Sequence, residues 1–468
     1  MTPEEFRMLG HRVVDWVAQY MDEVESLPVR APVEPGAIAA MLPAEAPESP
    51  EGWDEILADL DRVIMPGITH WQSPNFFAYF PCNATGASIL GELVSAGLGV
   101  QGMMWSTSPA CTELETVTLD WLAKLIGLPG TFLSTAPNAG GVIQGTASEA
   151  ALVAMIAARH RAGATDSLTA YTSDQAHSSI QKATKIMGLA PDALRLIPTD
   201  STMRMDPAAL SRAIDDDRAQ GKTPFFVSAT LGTTSSGAFD PLGAIGQITQ
   251  QADCWLHIDA AWAGSALVCP EFREPLDGVE HADSFNFNPH KWLLTNFDCS
   301  ALWTRDRASM TEALSVTPEY LRNKASDEGA VIDYRDWQIP LGRRFRAIKL
   351  WFVLRSFGAE GLRAHIRKHV KLAQWFESQV SEDHRFEMAA PRSLSLVCFR
   401  LADDHDGART KDLLERISSG GKIFCSHTTI PDQRTDTMRY AIRFAVGAVR
   451  TEAEHVERAW ALISETAG

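Results

Sequence analysis

Cysteine is scarce in this chain, with seven residues in 468, at positions 82, 111, 254, 269, 299, 398 and 425, and no CxxC pair. Scattered and odd in number, they supply neither a disulfide framework nor a structural zinc site. A reducing, cytoplasmic compartment is the expectation. Positive charge is also short: 42 Lys plus Arg against 59 Asp plus Glu leave a formal net charge of −17. A surface of that sign repels phosphate backbones and anionic lipid heads, so neither nucleic acid nor a membrane is expected as a partner. Long apolar runs are missing too. The most apolar segment, 88–105, is interrupted by Glu92 and by small polar residues, which argues against a membrane span. The opening MTPEEFRMLGHRVVDW lacks the basic start and apolar stretch of a secretory signal. No repeat at solenoid periods is present. What remains is an ordinary soluble composition, 45% hydrophobic and 22% charged, long enough for two or three domains.

Residues 6–24 place Phe6, Leu9, Val13, Val14, Val17 and Met21 near a 3.6-residue repeat, predicting an amphipathic helix that needs an apolar partner. A Pro-rich connector over 28–50 and a second helical pattern over 53–64 complete an N-terminal appendage, 1–85. From Ser88 onward, helical stretches alternate with the runs LTAYTS, ALRLIPT, FFVSAT, CWLHIDA, SFNFN and SALWTR. That alternation predicts an α/β fold with a parallel sheet flanked by helices, 86–348. Thr112 with Glu115 reads as a capping box for a helix that buries Val117, Trp121, Leu122 and Leu125. Beyond Ala347, RKHVKLAQWFESQV predicts helix, and SLSLVCFRL and MRYAIRFAV predict strands of a smaller α+β domain, 349–468.

Five segments carry residue types suited to one ligand. In SFNFNPHKWLL, Lys291 follows a strand-like run and is flanked by Trp292 and leucines. Apolar flanks desolvate an ammonium and yield the neutral amine that condenses with a carbonyl. In CWLHIDAAWAG, Asp259 ends an apolar strand, where α/β sheets present ligand groups. A carboxylate there requires a cation, such as a protonated pyridine nitrogen. GGVIQGTASEAALVAMIAARH reads as a Gly-bounded turn entering a helix, with Thr146 and Ser148 adding hydroxyls to a phosphate cup. A weaker turn, LGTTSSGAFD, brings Thr234 towards the same ligand. His177, in SDQAHSSIQKA, is placed to stack on an aromatic ring or move a proton. Each residue alone has an ordinary explanation: a snorkelling lysine, an Asp or Ser148 capping a helix, a structural histidine. Together they supply every contact that a phosphorylated pyridine aldehyde requires. His257 and Asp259 share one strand face and also match a pair that ligates non-haem iron, a chemistry that requires an all-β barrel and not this helix-rich pattern.

The blocks THWQSPNFFAYFP, SPACTELETVTLDWLAKLIGLP, GTASEAALVAMIAAR, SDQAHSS, ATLGTTSSGAFDPL, WLHIDAAWAGSA, ADSFNFNPHKWLLTNFDCSA and WQIPLGRRFRAIKLWFVLR closely resemble the group II pyridoxal-5′-phosphate decarboxylases, specifically the aromatic-L-amino-acid decarboxylase family. They span almost the whole chain. The resemblance implies the aspartate-aminotransferase fold (fold type I), pyridoxal 5′-phosphate as cofactor, and a homodimer in which the N-terminal segment packs on the partner subunit. It implies Lys291 as the Schiff-base lysine, Asp259 on the pyridine nitrogen and His177 on the ring. Thr146, Ala147, Ser148, Thr234, Ala261, Asn288 and His290 match positions lining the phosphate or ring. The implied reaction is decarboxylation of an aromatic L-amino acid (Trp, Phe, Tyr or a hydroxylated form) to its amine. The segment 315–337 reads as a lid reaching across the dimer, and its Tyr320 matches the proton donor to the former α-carbon, with His177 in relay. Members that release an aldehyde typically replace one of these two positions; both are present, so simple decarboxylation is expected over an aldehyde synthase. The pocket positions are Trp71, Tyr79, Phe80, Pro81, Cys82, Gln101, Met103 and Gly342. Gly342 matches the aromatic-selective members and leaves space for a ring. Cys82, Gln101 and Met103 depart from the animal enzymes, which leaves indole and phenol rings as open as catechol.

Overall fold

The computed structural model describes residues 1–163, 167–316, 331–432 and 437–468. The alternating apolar runs form a seven-stranded sheet. Its strands are β1 (Gly140–Gln144), β2 (Leu168–Ser173), β3 (Leu194–Ile197), β4 (Thr223–Thr230), β5 (Trp255–Asp259), β6 (Ser284–Phe287) and β7 (Ser300–Thr304), in the order β1-β7-β6-β5-β4-β2-β3. Strands β2 to β6 are parallel, and β7 is antiparallel to both its neighbours. Strand side chains divide between two cores. Val142, Ala170, Phe226, Trp255 and Leu302 enter one with Ala147–Ala162. Ile143, Tyr171, Val227, Leu256, Phe285 and Trp303 enter the other with Pro109–Ile126. A sheet buried on both faces needs continuous apolar strands, as these are.

A second sheet holds β8 (Phe386–Met388), β9 (Leu396–Leu401), β10 (Phe424–Asp432) and β11 (Thr437–Ala445). Its other edge is the two-residue strand Phe76–Phe77, parallel to β10. The first 85 residues are therefore not wholly an appendage. The helix Ala347–Glu382 joins the two sheets and breaks at Gly358 (φ 61°, ψ 174°), outside the helical region.

Three local expectations change. GGVIQ is strand β1 rather than part of a turn, because pairing along β7 outweighs two flexible glycines. The helix Pro109–Ile126 is capped by Ser108, whose Oγ accepts the Cys111 N–H, and not by Thr112. Ser followed by Pro at the first helical position is the earlier start signal. The face it buries carries Cys111, Glu115, Leu119, Leu122 and Ile126, whereas Val117 and Trp121 are exposed. The opening helix Pro3–Glu23 has the expected amphipathic pattern, but Phe6, Val13 and Val14 are exposed and only Leu9 is buried.

Glu115 is freed from capping for a structural task. Its carboxylate grips the Arg343 guanidinium in a bidentate pair (3.1 and 2.7 Å), with both side chains buried. Oε1 also accepts the Ile143 N–H, while Arg343 donates to the Ile143 carbonyl and to Gln338 Oε1. One ion pair thus ties helix, strand β1 and the segment 338–346 together. Removing one partner strands the other charge in the interior. Glu115→Ala is expected to cost about 3 to 5 kcal/mol, read as a lower denaturant midpoint; a loss under about 1 kcal/mol would show that the pair does not hold these elements.

Four imidazoles are strongly desolvated by the surrounding protein. Burial lowers the pKa of His257 to about 4, of His290 and His365 to about 3, and of His369 well below its usual value. They are neutral when folded, whereas the unfolded chain takes up these protons near pH 6.5. Where the unfolded state binds more protons, stability falls as pH falls. Asp240 opposes by one proton, since burial raises its carboxyl to about 6. The urea midpoint is therefore expected to be level above pH 7 and to fall between about pH 6.5 and 5, by roughly 1.4 kcal/mol per pH unit for each net proton. A midpoint rising on acidification over that window would contradict the neutral imidazoles.

Candidate active site

Adjacent parallel strands build the site. Asp259 ends β5 opposite Asn286 of β6, and β6 runs through Asn288 into the short helix Pro289–Trp292 that carries Lys291. Carboxylate and amine therefore emerge at the same edge of the sheet. Asp259 is buried; its Oδ1 accepts the Ala261 N–H at 2.9 Å and lies 3.5 Å from Asn286 Nδ2. Oδ2 accepts no hydrogen bond among the described residues. Lys291 is partly buried, and desolvation lowers its pKa against the opposing pull of Asp259. Its Nζ stands 5.6 Å from the centre of the Phe80 ring, which stacks on Trp262 at 4.3 Å.

His177 stands between β2 and the helix Ser179–Ile186. Its Nδ1 accepts the Ser179 N–H at 3.1 Å, which leaves the proton of the neutral ring on Nε2. The ring is open to solvent on one side, yet the surrounding protein desolvates it enough to lower its pKa. Asp259 raises that pKa and Lys291 lowers it further, so the three groups share one cleft.

Thr146, not Ser148, caps the helix Ala147–Ala162, with its side chain accepting the Glu149 N–H. Ala147 and Ser148 lie in the first turn, where N–H groups have no intrahelical acceptor. Asn288 Oδ1 is buried without a hydrogen-bond partner among the described residues. His290 is buried and kept neutral; its Nδ1 accepts the Cys299 N–H, so Nε2 carries the donor proton. Thr234 sits at an exposed turn and lines a cavity of about 1100 Å³ with Trp71, Tyr79, Ser235 and Arg443.

The pocket positions form two groups. Trp71 stacks on Tyr79 at 5.6 Å, and Tyr79 holds a left-handed φ of 53°. Ser426 Oγ accepts its N–H and Arg443 donates to its carbonyl, which stabilises that strained backbone. Pro81 presses on Gly447, where a Cβ would lie 2.9 Å from the proline ring. Cys82 is partly exposed, and burial raises its thiol pKa against the pull of Lys291. Gln101, Met103 and Gly342 gather instead around Arg343. Gln101 Oε1 accepts the Arg343 N–H, the Met103 carbonyl accepts the Arg335 N–H, and a Cβ on Gly342 would lie 3.3 Å from Gln101 Nε2.

Two site residues escape sequence reasoning. Arg443 is buried, 4.9 Å from the Phe80 ring; it donates to Ser426, Tyr79 and Ser235, and its Nη2 has no partner among the described residues. Asn83 donates to the carbonyls of Lys291 (2.6 Å) and Gly447 (2.9 Å) and accepts the Val449 N–H. The available signal is a lone polar residue inside an apolar run, AIRFAV for one and AYFPCNA for the other. Tyr320 lies outside the described residues. The end of the same segment, Tyr334–Trp337, is not mobile in character: Tyr334 is buried and its hydroxyl bonds Thr116. His257 does not form half of a metal site. It is buried in β5, with Nδ1 bonded to Ser284 Oγ and its ring on Phe226.

The residues fit pyridoxal phosphate. A partly desolvated lysine, a carboxylate with one unpaired oxygen, first-turn N–H groups and a buried amide oxygen without a partner are the polar capacity that this cofactor uses. The family model described as the pyridoxal-dependent decarboxylase conserved domain matches residues 35–402. Tryptophan decarboxylase 2 of Oryza sativa subsp. japonica is 50% identical, covering 100% of this chain and 95% of its own length. Phenylacetaldehyde synthase of Arabidopsis thaliana is also 50% identical, covering 100% and 96%. The crystal structure of Oryza sativa TDC with PLP and tryptamine superposes with a TM-score of 0.96 at 41% identity, over 100% of this chain and 98% of that one. With matches of this extent joined to a cleft that fits the cofactor, the chain belongs to the pyridoxal-dependent decarboxylases, enzymes of fold type I that work with pyridoxal phosphate.

Proposed function

We propose that this enzyme decarboxylates aromatic L-amino acids, namely Trp, Phe, Tyr or their hydroxylated forms, to the corresponding arylalkylamines and CO2. The observation that carries the reading is the meeting of the Lys291 amine and the Asp259 carboxylate beside the aromatic wall of Phe80 and Trp262. When bound, pyridoxal phosphate supplies a pyridinium ring that accepts the electrons left by departing CO2. The chain's residues do the rest. Lys291 would be the point of covalent attachment, and Asp259 Oδ2 would hold the proton on the pyridine nitrogen. Thr146, Ala147, Ser148, Asn288 and His290 would line the phosphate or the ring, while Ala261 fixes the Asp259 carboxylate and Thr234 would reach the ligand from the opposite turn. Arg443 Nη2 is the cation available to a substrate carboxylate. His177 and Tyr320 deliver the proton that completes the amine.

Equal identity to a decarboxylase and an aldehyde synthase, 50% each, leaves the second product class to be weighed. The presence of both Tyr320 and His177 favours the amine. The reading also takes the chain as a cytoplasmic homodimer with domains 1–85, 86–348 and 349–468. Exposed apolar residues support a second copy: Phe6, Val13 and Val14 on the first helix, and Leu90, Leu93 and Leu98 on Gly86–Leu98. A second copy would bring Gln101, Met103 and Gly342 to the wall of Trp71, Tyr79, Phe80, Pro81 and Cys82. Among the described residues no helix is long and apolar enough to cross a membrane.

Each aromatic amino acid supplied with pyridoxal phosphate, with amine, CO2 and O2 followed together, tests the function. Amine without O2 uptake is expected; aldehyde with O2 uptake would replace the reading by the synthase. Lys291→Ala is expected to abolish turnover, and Asp259→Ala to lower kcat by about a hundredfold or more. Full activity in either rejects the assigned roles. Tyr320→Phe is expected to leave KM near its original value and to divert product from amine to aldehyde, with O2 consumed. An unchanged amine yield would remove Tyr320 as proton donor.

A further inference from the structure

Trp292, the residue after Lys291, is buried in a column of rings. One face of its indole stacks on Trp262 (5.3 Å, 16°), which stacks on Phe80 (4.3 Å, 12°), and Lys291 Nζ lies over Phe80. At the other end its Nε1–H donates to His369 Nδ1 at 2.9 Å, and the two rings are nearly parallel, at 11°. His369 is fully buried on the helix Ala347–Glu382, one turn after His365, whose ring meets it edge-on at 4.3 Å. Burial lowers the pKa of His365 to about 3, despite a hydrogen bond to the Trp292 backbone. The column is therefore closed: it leaves Lys291 through the main chain and returns to its amine through Phe80.

Stacked rings resist separation but slide and rotate in plane at little cost, because ring–ring attraction is weakly directional. A hydrogen bond is directional, and the indole N–H must find an acceptor once buried. His369 Nδ1 is that acceptor. Burial lowers its pKa well below the usual value, so near neutral pH it is uncharged and retains the lone pair. The main chain of Lys291 is already held on its other side by Asn83 Nδ2. We propose that His369, backed by His365, is a positioning residue: through the Trp292 indole it sets the rotation of the Pro289–Trp292 helix and so aims the Lys291 amine at the cofactor. The inference rests on Lys291 being the lysine that binds pyridoxal phosphate.

Trp292→Phe removes the donor and keeps a ring in the stack; His369→Leu removes the acceptor; His369→Asn restores an acceptor oxygen close to the Nδ1 position. Three readouts are taken: the Kd of the cofactor-free chain for pyridoxal phosphate, the visible absorption of the bound cofactor, and kcat against KM. Trp292→Phe and His369→Leu are each expected to shift the absorption maximum, weaken cofactor binding about tenfold and lower kcat about tenfold with KM within about twofold. The double variant is expected to be no worse than either single one, since both break one bond. His369→Asn is expected to stay within about threefold of the original. The inference is overturned if Trp292→Phe leaves absorption and Kd unchanged, if the two losses multiply, or if His369→Asn is as damaged as His369→Leu. Should His369→Leu not fold, Trp292→Phe and His369→Asn decide alone, because one retains the histidine and the other an acceptor. Borohydride fixation followed by peptide mapping separates the two levels. Cofactor fixed on Lys291 with Trp292→Phe unaffected overturns the positioning role only, whereas cofactor fixed on another lysine overturns the assignment beneath it.

Discussion

The parallel pairing of β5 with β6 is the constraint on which the site depends. Both strands point the same way, so their carboxyl ends open at one edge, and Asp259 and Lys291 have nowhere to emerge but together. An antiparallel neighbour would have sent them to opposite edges of the sheet. The antiparallel strand β7 sits on the far side of β6, where it returns the chain without disturbing that arrangement. A crevice at the ends of parallel strands is where open α/β sheets bind ligands generally. Here the helix start after β1 and the histidine after β2 lie on the same side, so the carboxyl ends of four strands open on one side of the sheet.

Such a crevice needs walls, and those come from four separate regions of the chain. Phe80 precedes the large sheet, Trp262 and Trp292 follow its strands β5 and β6, His369 comes from the long helix and Arg443 from the second sheet. Their ring stacking buries apolar area without fixing orientation, and the few polar atoms among them fix it. Asn83 shows the division of labour. Its amide holds the Lys291 and Gly447 carbonyls and the Val449 N–H, so the lysine loop is tied to the segment that follows β11. Buried hydrogen bonds of this kind contribute only about 1 kcal/mol each to stability, yet they decide which of many similarly packed arrangements is populated.

Much of this was readable beforehand, for physical reasons that also explain what was not. LTAYTS reads as a strand and is one to the residue, β2, because β-branched and aromatic residues between two helical layers leave no other conformation. GGVIQ reads as a turn, since its glycines favour none of the regular elements; only the pairing partner β7, more than 150 residues away, makes it a strand. FCSHTTIPD carries polar residues and a proline and gives no strand signal of its own, although it pairs with β11 from Ser426 to Asp432. Asp259, Lys291 and His177 stand out because each follows an apolar run and changes its character. Arg443 and Asn83 follow the same rule in weaker form, but what makes them functional is the set of groups around them. Those groups come from positions far apart in the chain, and local pattern cannot report them.

The polar residues of the cleft share a design in which one half of the side chain is held by protein and the other half is left open. Asp259 Oδ1 is engaged by the Ala261 N–H while Oδ2 is not. Arg443 spends Nε and Nη1 on Ser235, Tyr79 and Ser426, and its Nη2 has no partner among the described residues. His177 and His290 each accept a backbone N–H on Nδ1, which turns a donor outward at Nε2. A side chain with no anchor would have to be ordered by the ligand, at a cost of about 0.5 to 1.5 kcal/mol apiece in lost rotamer freedom. A side chain fully satisfied by protein would have nothing to offer. Half-satisfied groups avoid both costs: their orientation is set by folding, and the desolvation of the open half is offset only when a ligand of complementary charge arrives. Selectivity for a ligand with a cationic ring nitrogen and anionic oxygens is thus written into which half of each residue the backbone takes.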